Sequence, residues 1–184
     1  MKSSGKLLCL AGLSGTGKST IADYCRQNDV AYFYTADIIP AVIPDEKRIH
    51  FGDKFRQADG YIKQAMEKAM QVHGERPLLV VDSVRSPTEW DYVRGLGRDS
   101  FLMALVCDRD VRMKRLQRRD GFDPEKVKRR DMKDLGLIAG SRFNIGALMP
   151  VADFYLDNSG LLSATYLKLD VIFREVRDGI RSKV

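Results

Sequence analysis

The chain has few side chains suited to a metal site of its own. It holds three cysteines and two histidines in 184 residues, and no two cysteines form a C-x-x-C pair. A structural zinc is therefore not expected. Cys9, Cys25 and Cys107 are odd in number and widely spaced, which also argues against a disulfide framework. They read as reduced thiols, with Cys9 and Cys107 in core strands. No apolar run approaches the roughly 18 residues that cross a bilayer. The N-terminal Met-Lys-Ser-Ser-Gly-Lys is charged, but the apolar stretch after it is short and runs into a glycine-rich loop. Cleavage of a signal peptide would remove that loop, so none is expected and a cytoplasmic location is. Internal repeats, linkers and low-complexity segments are missing too, so one domain over residues 1–184 is expected.

The composition is that of a globular chain, 44% hydrophobic with a net charge of +6. The positive balance suits a polyanionic ligand, either a small phosphate compound or RNA. His50 and His73 stand without a metal-ligand partner nearby in sequence and receive no role.

The most informative segment is Leu-Leu-Cys-Leu-Ala-Gly-Leu-Ser-Gly-Thr-Gly-Lys-Ser-Thr, residues 7 to 20. Gly12, Gly17, Lys18 and Ser19 satisfy G-x-x-x-x-G-K-[ST], the P-loop of nucleoside-triphosphate enzymes. A loop around a triphosphate must turn several backbone N–H groups inward, and glycine permits that path without a Cβ clash. Lys18 brings a positive charge for the β- and γ-phosphates, and the Ser19 hydroxyl can ligate Mg²⁺. Context agrees. Lys6 to Ala11 reads as a buried parallel strand, and Ile21, Ala22 and Cys25 stand at helical spacing after the loop.

Four further strands are expected at Ala31–Thr35, Pro77–Val81, Phe101–Cys107 and Ala152–Leu156. Helical stretches separate them, giving an α/β fold with a parallel sheet covered on both faces. Ser86-Pro87-Thr88-Glu89 combines a capping box with proline at the first helical position, and Gly95 and Gly97 end that helix. Asp123-Pro124-Glu125 is a similar start signal. The last helix shows Leu162, Tyr166, Leu169, Phe173, Val176 and Ile180 at three- and four-residue steps, read as core packing. A comparable stripe of Phe55, Ile62, Met66, Ala69 and Met70 marks a helix over about 55–72.

In an open parallel sheet, ligands sit beyond the carboxyl ends of the strands. Polar residues gather at each of these ends. Asp82 follows Leu-Leu-Val-Val, as a carboxylate that holds Mg²⁺ through its water shell does. Arg85, three residues on, is placed to clamp an anionic group of an acceptor; a plain salt bridge is the other reading. Asp37 either orients an acceptor group, accepts a proton from an acceptor hydroxyl, or caps a helix before Ile38.

The most basic segment runs from Arg109 to Asp131. Arg112, Arg115 and Arg119 share one helical face, with Val111 and Leu116 elsewhere around it. Two arginine-bearing helices joined by Asp120-Gly121-Phe122-Asp123 have the form of a short lid. Such a lid stabilises charge on a migrating phosphoryl group and excludes water.

With these residues in view, the whole chain resembles the adenylate-kinase-like (nucleoside monophosphate kinase) group of P-loop proteins. The likeness is closest to the dephospho-CoA-kinase-like branch and its archaeal nucleotide-kinase-like relatives. It rests on Gly12 to Thr20, on Val81-Asp82-Ser83-Val84-Arg85-Ser86 followed by Glu89, on Arg129-Arg130-Asp131 to Leu135-Gly136, and on Ala152-Asp153-Phe154-Tyr155-Leu156-Asp157-Asn158. The resemblance implies a three-layer P-loop NTPase fold with a five-stranded parallel sheet, an acceptor-binding helical region near residues 38–73 and a lid near 115–135. It implies ATP with Mg²⁺ as phosphoryl donor. Gly12, Leu13, Ser14, Gly15, Thr16, Gly17, Lys18, Ser19 and Thr20 would then bind the phosphates, with Lys18 also stabilising the transition state. Ser19 and Asp82 would serve the metal. Arg115 or Arg119 would lie near adenine or the phosphates, Arg129 and Arg130 would reach both substrates, and Asp37, Arg56 and Arg85 would face the acceptor.

The chain departs from the group at several points, among them a lid without a cysteine set for zinc and a segment Phe51-Gly52-Asp53-Lys54-Phe55-Arg56 without a base-specific motif. Monophosphate kinases often carry Asp-Gly-x-Pro-Arg after the third strand, where this chain has Asp82-Ser83-Val84-Arg85. Residues 141–149 are extra sequence before the last strand, with no role assigned. The expected activity is transfer of the ATP γ-phosphate to a nucleotide or nucleotide-like small molecule: a (deoxy)nucleoside monophosphate attacked at phosphate, or a dephospho-CoA-like compound attacked through a hydroxyl. The alternative is a nucleotide-dependent switch or weak ATPase that acts on RNA or a protein.

Overall fold

A computed structural model of the chain describes residues 5–39, 60–120 and 123–181. Strand β1 (Lys6–Ala11) leads through the glycine loop into helix α1 (Lys18–Gln27). Then come β2 (Ala31–Tyr34), a 3-10 turn (Thr35–Ile38), α2 (Tyr61–His73) and β3 (Leu78–Asp82). They are followed by α3 (Pro87–Arg94), β4 (Ser100–Val106), α4 (Arg109–Asp120) and α5 (Pro124–Asp134). A longer 3-10 helix (Ile145–Val151), β5 (Phe154–Asp157) and α6 (Leu162–Asp178) complete the described chain.

The five strands form one parallel sheet in the order β2-β3-β1-β4-β5. Helices cover both faces, so the central strands are apolar throughout rather than alternating. Leu8, Leu10, Val80, Phe101 and Met103 face α1 and α6, where Ile21, Tyr24, Leu169, Phe173 and Val176 complete one core layer. Leu7, Cys9, Leu79, Val81 and Leu102 face α2, α3 and the longer 3-10 helix, meeting Ala65, Met66, Trp90, Ile145 and Leu148. This is the three-layer α/β architecture that the sequence predicts. Residues 141–149 thus have a structural role that the sequence did not show: Ile145 and Leu148 are buried in the second layer, and Phe143 is buried against Arg85.

The helix starts follow the chemistry of the caps. Ser86 Oγ accepts from Glu89 N at 3.2 Å, and Asp123 accepts from Glu125 N and Lys126 N. The Glu89 carboxylate accepts from Arg85 N at 2.6 Å, one residue ahead of the cap.

Four details differ from the pattern reading. Helix α2 begins at Tyr61, and Phe55 and Arg56 lie outside the described residues, as do His50 and most of the expected acceptor region. Leu162 and Ile180 are exposed, because the first turn of α6 projects past the sheet and Gly179, at φ +74°, ends the helix before Ile180. Cys107 lies just beyond β4 and is half-buried rather than in the core. Asp37 is exposed inside the 3-10 turn, whose N-cap is Tyr34, so it does not act as a cap.

Candidate active site

The glycine loop is shaped by close approach. Gly15 and Gly17 have φ of +84° and +107°, a region open to glycine and strained for other residues. A Cβ on Gly17 would lie 1.8 Å from Asn158 Nδ2, and one on Gly12 would lie 2.9 Å from Thr16 Oγ1. The Thr16 hydroxyl donates to Leu13 O at 2.8 Å, which closes the loop on itself. A cradle that only glycine fits, running into the N-terminus of α1, suits a bound polyphosphate.

Lys18 Nζ donates to Gly12 O at 2.7 Å and to Leu13 O at 3.1 Å. Burial is the main influence on its ammonium and lowers its pKa to about 8. Asp82 opposes that shift, Arg85 adds to it, Asp134 opposes it and Arg130 adds to it. Lys18 therefore shares one electrostatic neighbourhood with the end of β3 and with helix α5. Its lowered pKa gives a prediction with a definite sign. Above pH 8 the nucleotide-free amine is mostly neutral, and a triphosphate restores the charged form, so ATP binding takes up a proton. Calorimetric titration at pH 8.5 in buffers of different ionisation enthalpy is expected to show most of one proton taken up, and none at pH 6.5. Buffer-independent heats at pH 8.5 would contradict this.

Asp82 ends β3 and is buried. Tyr32 Oη donates to Asp82 Oδ2 at 2.5 Å, and Ser83 Oγ donates to Oδ1 at 2.8 Å. The half-buried Tyr32, beside this carboxylate, has its pKa raised: desolvation and the Asp82 charge both hold the proton on the phenol. Ser19 is exposed in the first turn of α1. Among the described residues no cluster of three or more His, Cys, Asp or Glu side chains is placed to hold a metal. One hydroxyl and one carboxylate fit Mg²⁺ of the kind that completes its shell with water and substrate phosphates.

Arg85 is buried and held from several sides. Its guanidinium stands 3.5 Å from Asp134 and 5.0 Å from the centroid of the Phe143 ring. Its carbonyl accepts from Asn144 N at 2.7 Å. Lys133 lies against the same ring at 5.6 Å. The surface salt bridge weighed for Arg85 is thus a buried pair with a helix of the basic segment, and residues 143–144 shape its surroundings.

The arginines of α4 reach the loop. Arg112 is buried, donates to Ser14 O at 3.0 Å and pairs through both Nη atoms with Asp131 of α5. Arg115 donates to Asn158 O at 2.8 Å and to Cys107 Sγ at 3.4 Å. Arg119 donates to Ser14 Oγ at 3.1 Å. Leu116 is buried on this side, because residues four apart share a helix face; a Cβ on Gly15 would meet its Cγ at 3.0 Å. In α5, Arg130 is half-buried within electrostatic reach of Lys18, and Arg129 is exposed.

The structure therefore gathers Lys18, Asp82, Arg85 and Arg130, and sets Arg112, Arg115 and Arg119 along the loop. Asp37 shares the carboxyl end of the sheet and stands exposed beyond β2, while Arg56 lies outside the described residues. Pattern reading missed Asn158. Its side chain donates to Thr16 O at 2.9 Å and accepts from Thr165 Oγ1 at 2.9 Å, which ties the loop to β5 and α6. A buried amide at a strand end was the available signal. Asp134 and Tyr32 left no local signature, because their partners lie far away in sequence; Arg112 and Asp131 stood out within the basic segment, but their pairing with each other did not.

A parallel sheet with a glycine cradle at its carboxyl end and a basic helix pair against that cradle defines a P-loop, kinase-like protein. Sequence comparison agrees. The chain belongs to the AAA_18 family, described as an AAA domain, whose model matches residues 8–136. A UPF0200 protein of Methanothrix thermoacetophila is 23% identical over 166 residues, covering 83% of this chain and 91% of that protein. TT1252 from Thermus thermophilus superposes with a TM-score of 0.62 at 18% identity, over 94% of this chain and 98% of that one. A gluconokinase from Sinorhizobium meliloti matches at TM-score 0.57 and 16% identity, over 95% and 99% of the two chains. A shikimate kinase from Bacteroides thetaiotaomicron matches at 0.57 and 14%, over 91% and 98%. These structural likenesses are likenesses of fold. Among the described residues no helix is long and apolar enough to cross a membrane.

Proposed function

We propose that the protein is an ATP-dependent phosphotransferase that moves the γ-phosphate to a nucleotide or nucleotide-like small molecule. The observation that carries this reading is the charge cluster around Lys18. Asp82 at the end of β3, Arg85 just beyond it, and Arg130 and Asp134 of α5 all act electrostatically on one ammonium in the glycine loop, and Arg85 pairs with Asp134 at 3.5 Å. Phosphoryl transfer needs positioning and charge stabilisation more than covalent chemistry, and such a cluster supplies both. Names borne by structural neighbours, gluconokinase and shikimate kinase, support a small-molecule acceptor.

In this reading Gly12 to Thr20 hold the triphosphate. Lys18 exchanges its two loop carbonyls for phosphate oxygens and stays on the migrating group. Ser19 and Asp82 serve Mg²⁺, which supplies charge neutralisation between the phosphates when bound. Arg115 and Arg119 flank the nucleotide beside Asn158 and Ser14, and Arg129 and Arg130 approach from the lid. Arg85 faces an anionic group of the acceptor, with Arg56 as its expected companion. Asp37, exposed beyond β2, orients the acceptor or takes the proton of an attacking hydroxyl. The finer likeness to the adenylate-kinase-like group, nearest its dephospho-CoA-kinase-like branch, makes nucleoside and deoxynucleoside monophosphates and dephospho-CoA the compounds to try. ADP release should stay near background with Mg·ATP alone and rise sharply with one of these acceptors.

A second reading has its own observation. Arg109, Lys114, Arg118, Lys128 and Arg129 are exposed on α4 and α5. A nucleotide-dependent switch would use such a basic face to hold RNA or an acidic protein. That reading expects ATP hydrolysis without any small acceptor, and RNA binding with a steep salt dependence.

A further inference from the structure

The carboxylate at the end of β3 is prepared in a way that the proposed reaction alone does not require. Both of its oxygens meet hydroxyl donors, Tyr32 Oη at 2.5 Å and Ser83 Oγ at 2.8 Å. Tyr32 comes from the edge strand β2, where its backbone pairs in register with Val80, two residues before Asp82. Its ring packs partly buried against the α1–α6 core layer. Phenylalanine would fill that space equally well, so packing does not ask for the hydroxyl.

Ser83 makes the same point more strongly. It is buried and has φ +80°, a conformation that glycine adopts freely and an L side chain adopts under strain. The position is fixed by its neighbours, since Val84 N donates to Leu10 O at 3.1 Å. Glycine would satisfy the turn without strain. Serine adds one thing, a hydroxyl on Asp82.

Two donors on opposite oxygens fix the plane of a carboxylate, and each oxygen retains a second lone pair. Such a group is pre-oriented to accept from a further donor. At this sheet end, within electrostatic reach of Lys18, the donor that suits it is a water of a cation carried in on phosphate. We propose that Tyr32 and Ser83 are positioning residues that hold Asp82 oriented to receive the water shell of a nucleotide-bound divalent cation. The inference rests on the reading of Asp82 as the metal-side carboxylate.

Mn²⁺ tests it without any acceptor. Free Mn²⁺ is followed by electron paramagnetic resonance while it is titrated into protein saturated with ADP. ADP affinity is measured separately in EDTA, and folding by thermal melting. Tyr32→Phe and Ser83→Ala are each expected to weaken Mn²⁺ binding to the protein–ADP complex by about tenfold. Their ADP affinity in EDTA should match that of the wild type. Asp82→Asn should weaken Mn²⁺ binding at least as much. If Asp82→Asn loses Mn²⁺ while both hydroxyl variants bind it like the wild type, the positioning role is wrong and Asp82 remains the metal-side carboxylate. If ADP affinity in EDTA falls by the same factor as Mn²⁺ affinity, the hydroxyls serve the fold and the inference fails. Unchanged Mn²⁺ binding in Asp82→Asn would overturn the reading of Asp82, and the inference with it.

Discussion

Lys18→Ala is expected to lower acceptor-dependent turnover by about 10³-fold or more, with no loss of folding. In the proposed reaction the ammonium stays with the migrating phosphoryl, and Lys18 is the one cationic side chain that residues 12–20 carry. The stability side carries an unusual sign. Burial lowers the Lys18 pKa to about 8, so the unfolded chain binds this proton more tightly than the folded one. Stability linked to this group therefore rises as pH increases from about 8 toward 10.5, the ordinary value. Below pH 8 the charged buried ammonium costs stability, offset in part by its bonds to Gly12 O and Leu13 O. Alanine removes the cost and the bonds together. The melting temperature of Lys18→Ala at pH 7 is thus expected to be no lower than that of the wild type, while the wild type gains on it from pH 8 to 10. Calorimetric scans across that range check the sign, and wild-type turnover in Lys18→Ala would remove the loop from the active site.

Asp134→Ala is expected to destabilise the protein by about 3–5 kcal/mol, because it strands a guanidinium away from water. The Arg85 and Asp134 side chains are 9% and 5% exposed, so solvent cannot replace the lost partner. Arg85→Ala should cost a similar amount by stranding the carboxylate. The double variant should cost much less than the sum, since removing both charges also removes the desolvation that the pair incurs. Denaturant titration of the four proteins of this cycle measures the coupling. A sum that is simply additive would mean that the two groups do not sense one another. The activity of the double variant is informative as well. Restored stability without restored turnover would show that Arg85 is kept for chemistry rather than for folding, as expected of a buried pair beside a reaction centre.

Local pattern exposed the glycine loop, the strands and the helix caps, because each is written within a few adjacent residues. Asp82 and Arg85 could be placed at a ligand-binding edge because strand ends in a parallel sheet converge there. What stayed hidden is tertiary. Asp134 and Asp131 look like ordinary charges on a solvated helix until Asp134 meets Arg85, beyond β3, and Asp131 meets Arg112 of α4. Leu116 follows the same logic: a helical wheel gives angles but does not say which side meets the loop. Asn158 sits in an unremarkable Asp-Asn-Ser-Gly turn, yet its amide bridges the loop to α6. Residues 141–149 carried no pattern because Phe143 packs beside Arg85 while Ile145 and Leu148 pack under the sheet, so their apolar members do not repeat along one face. The exposed Leu162 and Ile180 show the converse, since periodicity extends past the part of the helix that has a sheet to cover it.

The proposed reaction is transfer of a phosphoryl group to an acceptor rather than simple hydrolysis of ATP. The most direct measurement follows the label of ATP carrying ³²P at the γ-position, incubated with the protein, Mg²⁺ and each candidate acceptor, and separated by thin-layer chromatography. Label moving onto one acceptor, with little inorganic phosphate released when the acceptor is omitted, is the predicted result. Label released as inorganic phosphate at the same rate with or without every acceptor would contradict it and identify an ATPase.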